Sequence, residues 1–271
     1  MAAIWGASFL FVRIASPAVG PVLTADLRML IAGLALAIWF RFTGFDAQWR
    51  RWWRQYLIVG LLTSAAPFLL FAYSALTLSA GLMSVINASS PIWGALSSAW
   101  LLGERLSPRS VVGLAIGVAG VALVTRPEGG DHVAAIPALA AVAAAVCYGL
   151  AATYMRRWAK DVPSRGMALG TQIAGAALLA PLLAIAPPAA IPTPFIAACL
   201  LAMGLVCGAI AYLLYFRLVT DIGAAGALTV TYLIPLFGVA WGALFLSESV
   251  SHGMVTGAVL VLLGTFFVLR K

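Results

Sequence analysis

Apolar residues in this chain run in long unbroken blocks, each cut by a short cluster of charges or by Pro and Gly. A helix that crosses about 30 Å of hydrocarbon needs roughly 17 to 25 mostly apolar residues. Cut at its polar clusters, the chain yields ten such segments: Met1 to Ser16, Val22 to Phe40, Tyr56 to Leu78, Ala80 to Leu102, Ser110 to Thr125, Val133 to Met155, Gly166 to Ile185, Phe195 to Phe216, Ile222 to Leu246 and His252 to Leu269. The blocks are continuous and do not alternate with period two, so helices rather than barrel strands satisfy the backbone in lipid. The links are short, which makes neighbouring helices antiparallel. The expected fold is an all-α integral membrane protein with ten transmembrane helices.

Composition supports a lipid solvent. Of 271 residues 63% are hydrophobic and 9% are charged, whereas a soluble domain carries about a quarter charged residues to cover its surface. Cys147, Cys199 and Cys207 lie in apolar stretches without CxxC spacing and read as small core residues. The opening run, Met1 to Val12, has no basic residues before it and no clear cleavage site after it, so a cleaved signal peptide is not expected.

The net charge of +8 is a topology signal. With the N-terminus inside, the inner loops and the C-terminus hold Arg41, Arg50, Arg51, Arg54, Arg105, Arg109, Arg156, Arg157, Lys160, Arg165, Arg217, Arg270 and Lys271, thirteen of the 16 cations. Arg126 alone falls in an outer loop, and Arg13 and Arg28 sit within or at the edge of the first two spans. Both termini are therefore expected in the cytoplasm, with the chain in the cell's inner membrane. Trp49, Trp52 and Trp53 interleave with the arginines of the second loop as an interfacial anchor, and nucleic acid is not an expected partner.

The chain also repeats itself. At an offset of 144 residues, Ala80 to Val124 aligns without a gap on Ala224 to Val268 (224 − 80 = 144). Pro91 meets Pro235, Gly94 meets Gly238, Glu104 meets Glu248, Ser107 meets Ser251, Gly113 meets Gly257 and Gly120 meets Gly264. Shifted by one, Trp5-Gly6 falls on Tyr148-Gly149 and Arg13 on Arg156. Each half, residues 1–126 and 133–271, holds five spans, an odd number, so the second enters the membrane from the opposite face. Two inverted five-helix repeats form an architecture found in transporters.

The runs Ala80-Gly81-Leu82, Asn87-Ala88-Ser89-Ser90-Pro91 and Leu101-Leu102-Gly103-Glu104-Arg105-Leu106 are echoed by Ala224-Ala225-Gly226, Tyr232-Leu233-Ile234-Pro235 and Phe245-Leu246-Ser247-Glu248-Ser249-Val250. In these runs the chain resembles the EamA-type group of the drug/metabolite transporter superfamily. The resemblance implies a ten-helix basket around a central cavity, and export of small metabolites such as amino acids.

Proline in a helix interior removes a backbone hydrogen bond and bends the axis. Pro91 and Pro235 are thus either gating bends or static kinks; Pro67, whose matching position is Ala211, weighs less. Polar groups in lipid-spanning helices turn toward a cavity or another helix. Asn87 and its counterpart Thr231, one turn before the prolines, are the first candidates for substrate hydrogen bonding, with helix-to-helix contact as the competing reading. Trp5, Ser8, Phe9 and Val12 share one face of the first span, and Tyr148, Ala151 and Met155 occupy the matching places on the sixth. Such a face suits an apolar or aromatic substrate, although ordinary packing produces it too. Tyr73, Met83, Gln172 and Tyr212 complete the candidate set.

Asp26 and Arg28 alone bring charge well into a span, and no carboxylate sits mid-membrane, which favours facilitated export over ion coupling. Without buried cations to neutralise phosphate, a neutral or zwitterionic, amino-acid-like substrate fits better than a nucleotide. Other small solutes, a channel and a lipid-handling protein are the alternatives. His132 and His252 have no deep acidic partner, so neither an enzyme nor a cofactor or metal is expected. The GxxxG pairs Gly113/Gly117, Gly204/Gly208 and Gly253/Gly257 read as close packing inside a monomer, with dimerisation through span five or ten as the other use.

Overall fold

A computed structural model describes residues 1–125, 135–215, 217–218, 221 and 229–269. Arg126, His132, Arg270, Lys271 and the run Ala224-Ala225-Gly226, all used in the sequence reading, lie outside the described residues.

The described residues are helical with short connections. In chain order the helices are α1 (Ala2–Val19), α2 (Pro21–Phe42), α3 (Trp49–Ser74), α4 (Ala80–Asn87), α5 (Ser90–Leu102), α6 (Pro108–Val124), α7 (Ala135–Trp158), α8 (Ser164–Leu179), α9 (Pro194–Tyr215), α10 (Thr229–Leu246) and α11 (His252–Leu269). Among the described residues seven helices are long and apolar enough to cross a membrane: α1, α2, α3, α7, α9, α11, and α8 with the turn Leu182–Ile185 that follows it. The other three sequence-defined spans take different forms. Helix α6 has 17 residues and α10 has 18, while the span expected over Ala80 to Leu102 is broken into α4 and α5 at Ala88-Ser89.

Local chemistry explains the ends. Gly20 alone joins α1 to α2 and holds φ at +93°, a conformation that a Cβ disfavours. Ser79, Ser107 and Thr193 cap α4, α6 and α9 by accepting from the amides of Leu82, Ser110 and Ile196 at 3.1, 3.1 and 3.4 Å. Pro108 and Pro194 follow their caps at the first helical position, where the missing N–H costs nothing. Trp49, Trp52 and Trp53, expected in a loop, instead form the first turns of α3. There Arg51 and Arg54 lie over the Trp52 and Trp53 rings at 4.6 and 5.3 Å. The basic and aromatic positions of that stretch fall on helical faces, and Trp49 packs edge-on to Tyr56 one repeat later.

Two helices carry a wider turn. Leu61–Ala65 in α3 and Leu205–Ile210 in α9 are π-helical, just before Pro67 and before Ala211. Proline explains the first, since its ring cannot accept the normal spacing to the preceding carbonyl. The second forms without a proline.

The core runs through α1, α2, α3, α4, α7 and α9, with Val12, Met29, Phe68, Phe71, Met83 and Met203 buried together. Helix α1 packs on α10, α5 on α7, α2 on α8, and α6 on α11. Glycine sets the last of these contacts: a Cβ on Gly113 would stand 2.8 Å from the Gly264 carbonyl, and one on Gly120 would stand 2.9 Å from the Gly257 carbonyl. Gly113 and Gly117 therefore serve packing inside the chain. Gly204 and Gly208 do the same, seating Ile31 and Ala32 of α2.

Candidate functional site

Trp5 of α1 is half-buried and stands against two tyrosines of α9. Its ring lies 6.4 Å from Tyr212, edge-on at 72°, and 5.4 Å from Tyr215. One turn further along α1, buried Phe9 meets Phe71 of α3 edge-on at 5.3 Å, and Ser8 beside it is buried. Such edge-to-face pairs fix ring orientation, so this side of α1 is an ordered aromatic wall.

A polar group joins the wall. Gln172 of α8, 1% exposed, donates through Nε2 to Ser64 Oγ at 3.2 Å and to the Tyr212 hydroxyl at 3.5 Å. Ser64 belongs to the π turn of α3, which places a side-chain hydroxyl at the point where backbone pairing is loosest. Tyr148 of α7 packs on the same core as Trp5. Arg28 of α2 holds its guanidinium 3.8 Å from the centre of the Phe68 ring, and Phe68 belongs to that same core. Five helices, α1, α2, α3, α7 and α9, thus turn aromatic or polar groups toward one interior region, with α8 contributing Gln172.

The remaining candidates have other surroundings. Asn87 ends α4, with its Oδ1 buried and without a hydrogen-bond partner among the described residues. Thr231 lies half-buried on α10. Met83 is wholly buried in the core, Tyr73 is 39% exposed, and Met155 packs with Trp52, Tyr56 and Ala159 in a separate cluster. Pro91 sits at the start of α5, just after the break, whereas Pro235 lies inside the unbroken α10. The matched prolines therefore occupy unlike backbones.

The sequence reading overlooked Ser64 and Tyr215, and it also missed an ion-pair cluster. Arg13 of α1 donates to the Ala75 and Leu76 carbonyls at 2.6 and 3.3 Å, and its Nε lies 3.6 Å from Glu248. Glu248 in turn accepts from the Ala80 amide through both oxygens, at 3.0 and 2.9 Å. A carboxylate at a helix N-terminus satisfies orphan amides and suits the local dipole. A second pair, Arg156 to Glu104 at 2.8 Å, is more exposed. The repeat carried the signal for both, because Arg13 aligns with Arg156 and Glu104 with Glu248. All three cysteines are free, and Cys207 Sγ donates to the Ile4 carbonyl at 3.2 Å.

Comparison with known proteins gives the arrangement its context. The family model described as the EamA-like transporter family matches twice, over residues 1–126 and 135–270. The chain belongs to the EamA-like transporter family. Among its relatives is the uncharacterized transporter YvbV of Bacillus subtilis, 31% identical over 95% of this chain and 85% of that protein. The WAT1-related protein At3g02690 of Arabidopsis thaliana, a chloroplastic protein, is 27% identical over 97% of this chain and 66% of its own length. A solved crystal structure 22% identical superposes with a TM-score of 0.67 over 99% of this chain and 94% of the other, a likeness of fold. With its apolar helices, this EamA-like chain is a multi-pass membrane protein of a transporter family.

Proposed function

We propose that the protein is a carrier that exports small neutral or zwitterionic metabolites, foremost amino acids with an aromatic or apolar side chain. Transport proceeds by alternating access between two inverted five-helix repeats, residues 1–126 and 133–271. The observation that carries this reading is the interior meeting of Trp5, Tyr148, Tyr212, Gln172 and Ser64 on apolar helices. Polar groups there are costly unless a partner helix or a ligand uses them, and the rings offer flat apolar surfaces for a substrate body.

Matched contacts support the repeat. A Cβ on Gly6 would lie 2.7 Å from Phe237 Cβ, and one on its counterpart Gly149 would lie 2.6 Å from the Trp93 carbonyl carbon. Phe237 aligns with Trp93, since 237 − 93 = 144. Arg13 to Glu248 and Arg156 to Glu104 are likewise counterparts, each joining residues of the two halves. On this reading the first pair ties the outer ends of the helices and the second the inner ends, with both termini cytoplasmic.

Reconstituted vesicles test the reading. Saturable counterflow of labelled L-phenylalanine is the expected result. Non-saturable conductance would make the protein a channel, and no movement of any amino acid, nucleoside or similar metabolite would overturn the proposal.

A further inference from the structure

Arg28 is a cation placed among apolar helices, and no counter-ion meets it among the described residues. Its Nε is buried and has no hydrogen-bond partner, and none of the ion pairs formed among the described residues involves it. Asp26, two positions earlier, is itself buried with Oδ1 unpartnered, and no ion pair links it to Arg28. Positions two apart on a helix do not share a face. The guanidinium instead lies 3.8 Å from the Phe68 ring centre. An aromatic face attracts a cation without consuming its N–H donors, so the planar fork keeps its capacity for an acceptor.

A charge of this kind is expensive inside a membrane protein, and intramembrane cations mark ligand pathways or pair with one another's counter-ions. Among the described residues no carboxylate pairs with this one. The neighbouring groups define what can. Phe68 belongs to the core against which Trp5 and Tyr148 pack, and Trp5 in turn touches Tyr212, which accepts from Gln172. The surroundings are therefore one cation, a few neutral hydrogen-bonding groups and several aromatic rings. Phosphate, with two charges at neutral pH, calls for more positive charge than this, and Arg13 is already engaged by Glu248 and the Ala75 carbonyl. A carboxylate carries a single charge and matches the guanidinium fork with two parallel hydrogen bonds.

We infer that Arg28 is the anchor for a substrate carboxylate, so that the transported class is a carboxylic acid with an apolar or aromatic body lying against Trp5, Tyr148 and Phe68. This rests on the carrier reading above and sets its selectivity at the acid group: an amino acid is recognised through its carboxylate, and a plain arylalkanoate, although a net anion, qualifies equally. A charge-assisted bidentate contact is worth about 10- to 100-fold in affinity.

The test uses the full chain in vesicles and in detergent, with two pairs of probes that differ only at the acid group: L-phenylalanine with L-phenylalaninamide, and 3-phenylpropionate with 3-phenylpropionamide. Inhibition of labelled counterflow, and the ligand-dependent rise in unfolding temperature, are read for each. For the unaltered protein, each acid should act at about 10- to 100-fold lower concentration than its amide. Arg28→Gln should abolish that preference, and Arg28→Lys should retain part of it. Should Arg28→Gln fail to fold, Arg28→Lys decides: an acid-to-amide ratio lowered from that of the unaltered protein supports the anchor, and an unchanged ratio overturns it. Equal action of acids and amides with counterflow intact overturns the anchor and leaves the carrier reading standing. An acid preference that survives Arg28→Gln also overturns it. Absence of counterflow by every probe overturns both.

Discussion

Gln172 ties three helices together, since one amide nitrogen joins α8 to the π turn of α3 and to Tyr212 of α9. Leucine at this position keeps the volume and removes the donor, which leaves a buried Ser64 hydroxyl short of a partner. Gln172→Leu is expected to lower labelled-substrate counterflow and to cost about 1–3 kcal/mol of stability, read by thermal unfolding in detergent. Asn87→Ala and Thr231→Val are expected to lower counterflow while leaving the unfolding temperature nearly unchanged; unaltered transport in both would reduce these residues to packing. The sequence exposed these side chains because a polar residue within an apolar block is conspicuous. It could not reveal which of them meet. Trp5 and Tyr212 are more than two hundred positions apart, and Tyr73 and Tyr212, alike as residues, differ in whether the face they occupy turns in or out. Facing depends on helix rotation, which composition leaves nearly free when both lipid and core are apolar.

Among elements, the two ion pairs invite a comparison of magnitude. Glu248 holds Arg13 and both of its oxygens take the Ala80 amide, with the carboxylate side chain 15% exposed. Glu104 and Arg156 are about half exposed, at 49% and 55%. Surface pairs contribute roughly 0–1 kcal/mol, whereas hydrogen bonds to a shielded charge contribute about 1.5–3 kcal/mol. Glu248→Gln should therefore destabilise the protein more than Glu104→Gln, and hydrogen exchange at the Ala80 amide should quicken only in the former. Equal effects would mean that the tighter geometry of the first pair has no energetic weight. The α6·α11 contact has a different basis. A Cβ on Gly264 would meet the Gly113 carbonyl oxygen at 2.6 Å and the Gly117 amide nitrogen at 2.5 Å. Backbone cannot yield as a side chain can, so Gly264→Ala is expected to cost about 1–3 kcal/mol through overpacking, measured by thermal unfolding. The glycine spacing that announced close packing was visible in the sequence, but its partner helix was not, because a GxxxG stretch fits any small-residue surface.

At the scale of the whole molecule, the thirteen cations assigned to one side make a concrete claim about topology. A reporter enzyme active only in the cytoplasm, fused after Lys271, should be active, and one fused within the outer loop before Pro194 should be silent. The reverse pattern would invert the proposed direction of transport. Helix content and the multi-pass character were legible from block lengths alone. The break at Ala88-Ser89 was not, since Pro91 signals a disturbance without saying whether the helix bends or stops, and Pro235 in the matching place does neither more than sit within α10.

The π turns of α3 and α9 carry a further consequence. Each is in effect one surplus residue inserted into an α-helix, and one residue corresponds to about 100° of rotation about the axis. Everything beyond Ala65 on α3, including Phe68 and Phe71, is aimed by that surplus. Deleting Leu62 with Pro67 replaced by alanine should let the helix close its ordinary ladder with little loss of helicity by circular dichroism, while turning the Phe68 ring away from Arg28. A protein that stays folded and no longer transports would identify the extra residue as an angular offset written into the chain, a setting that no side chain replacement at the site could reproduce.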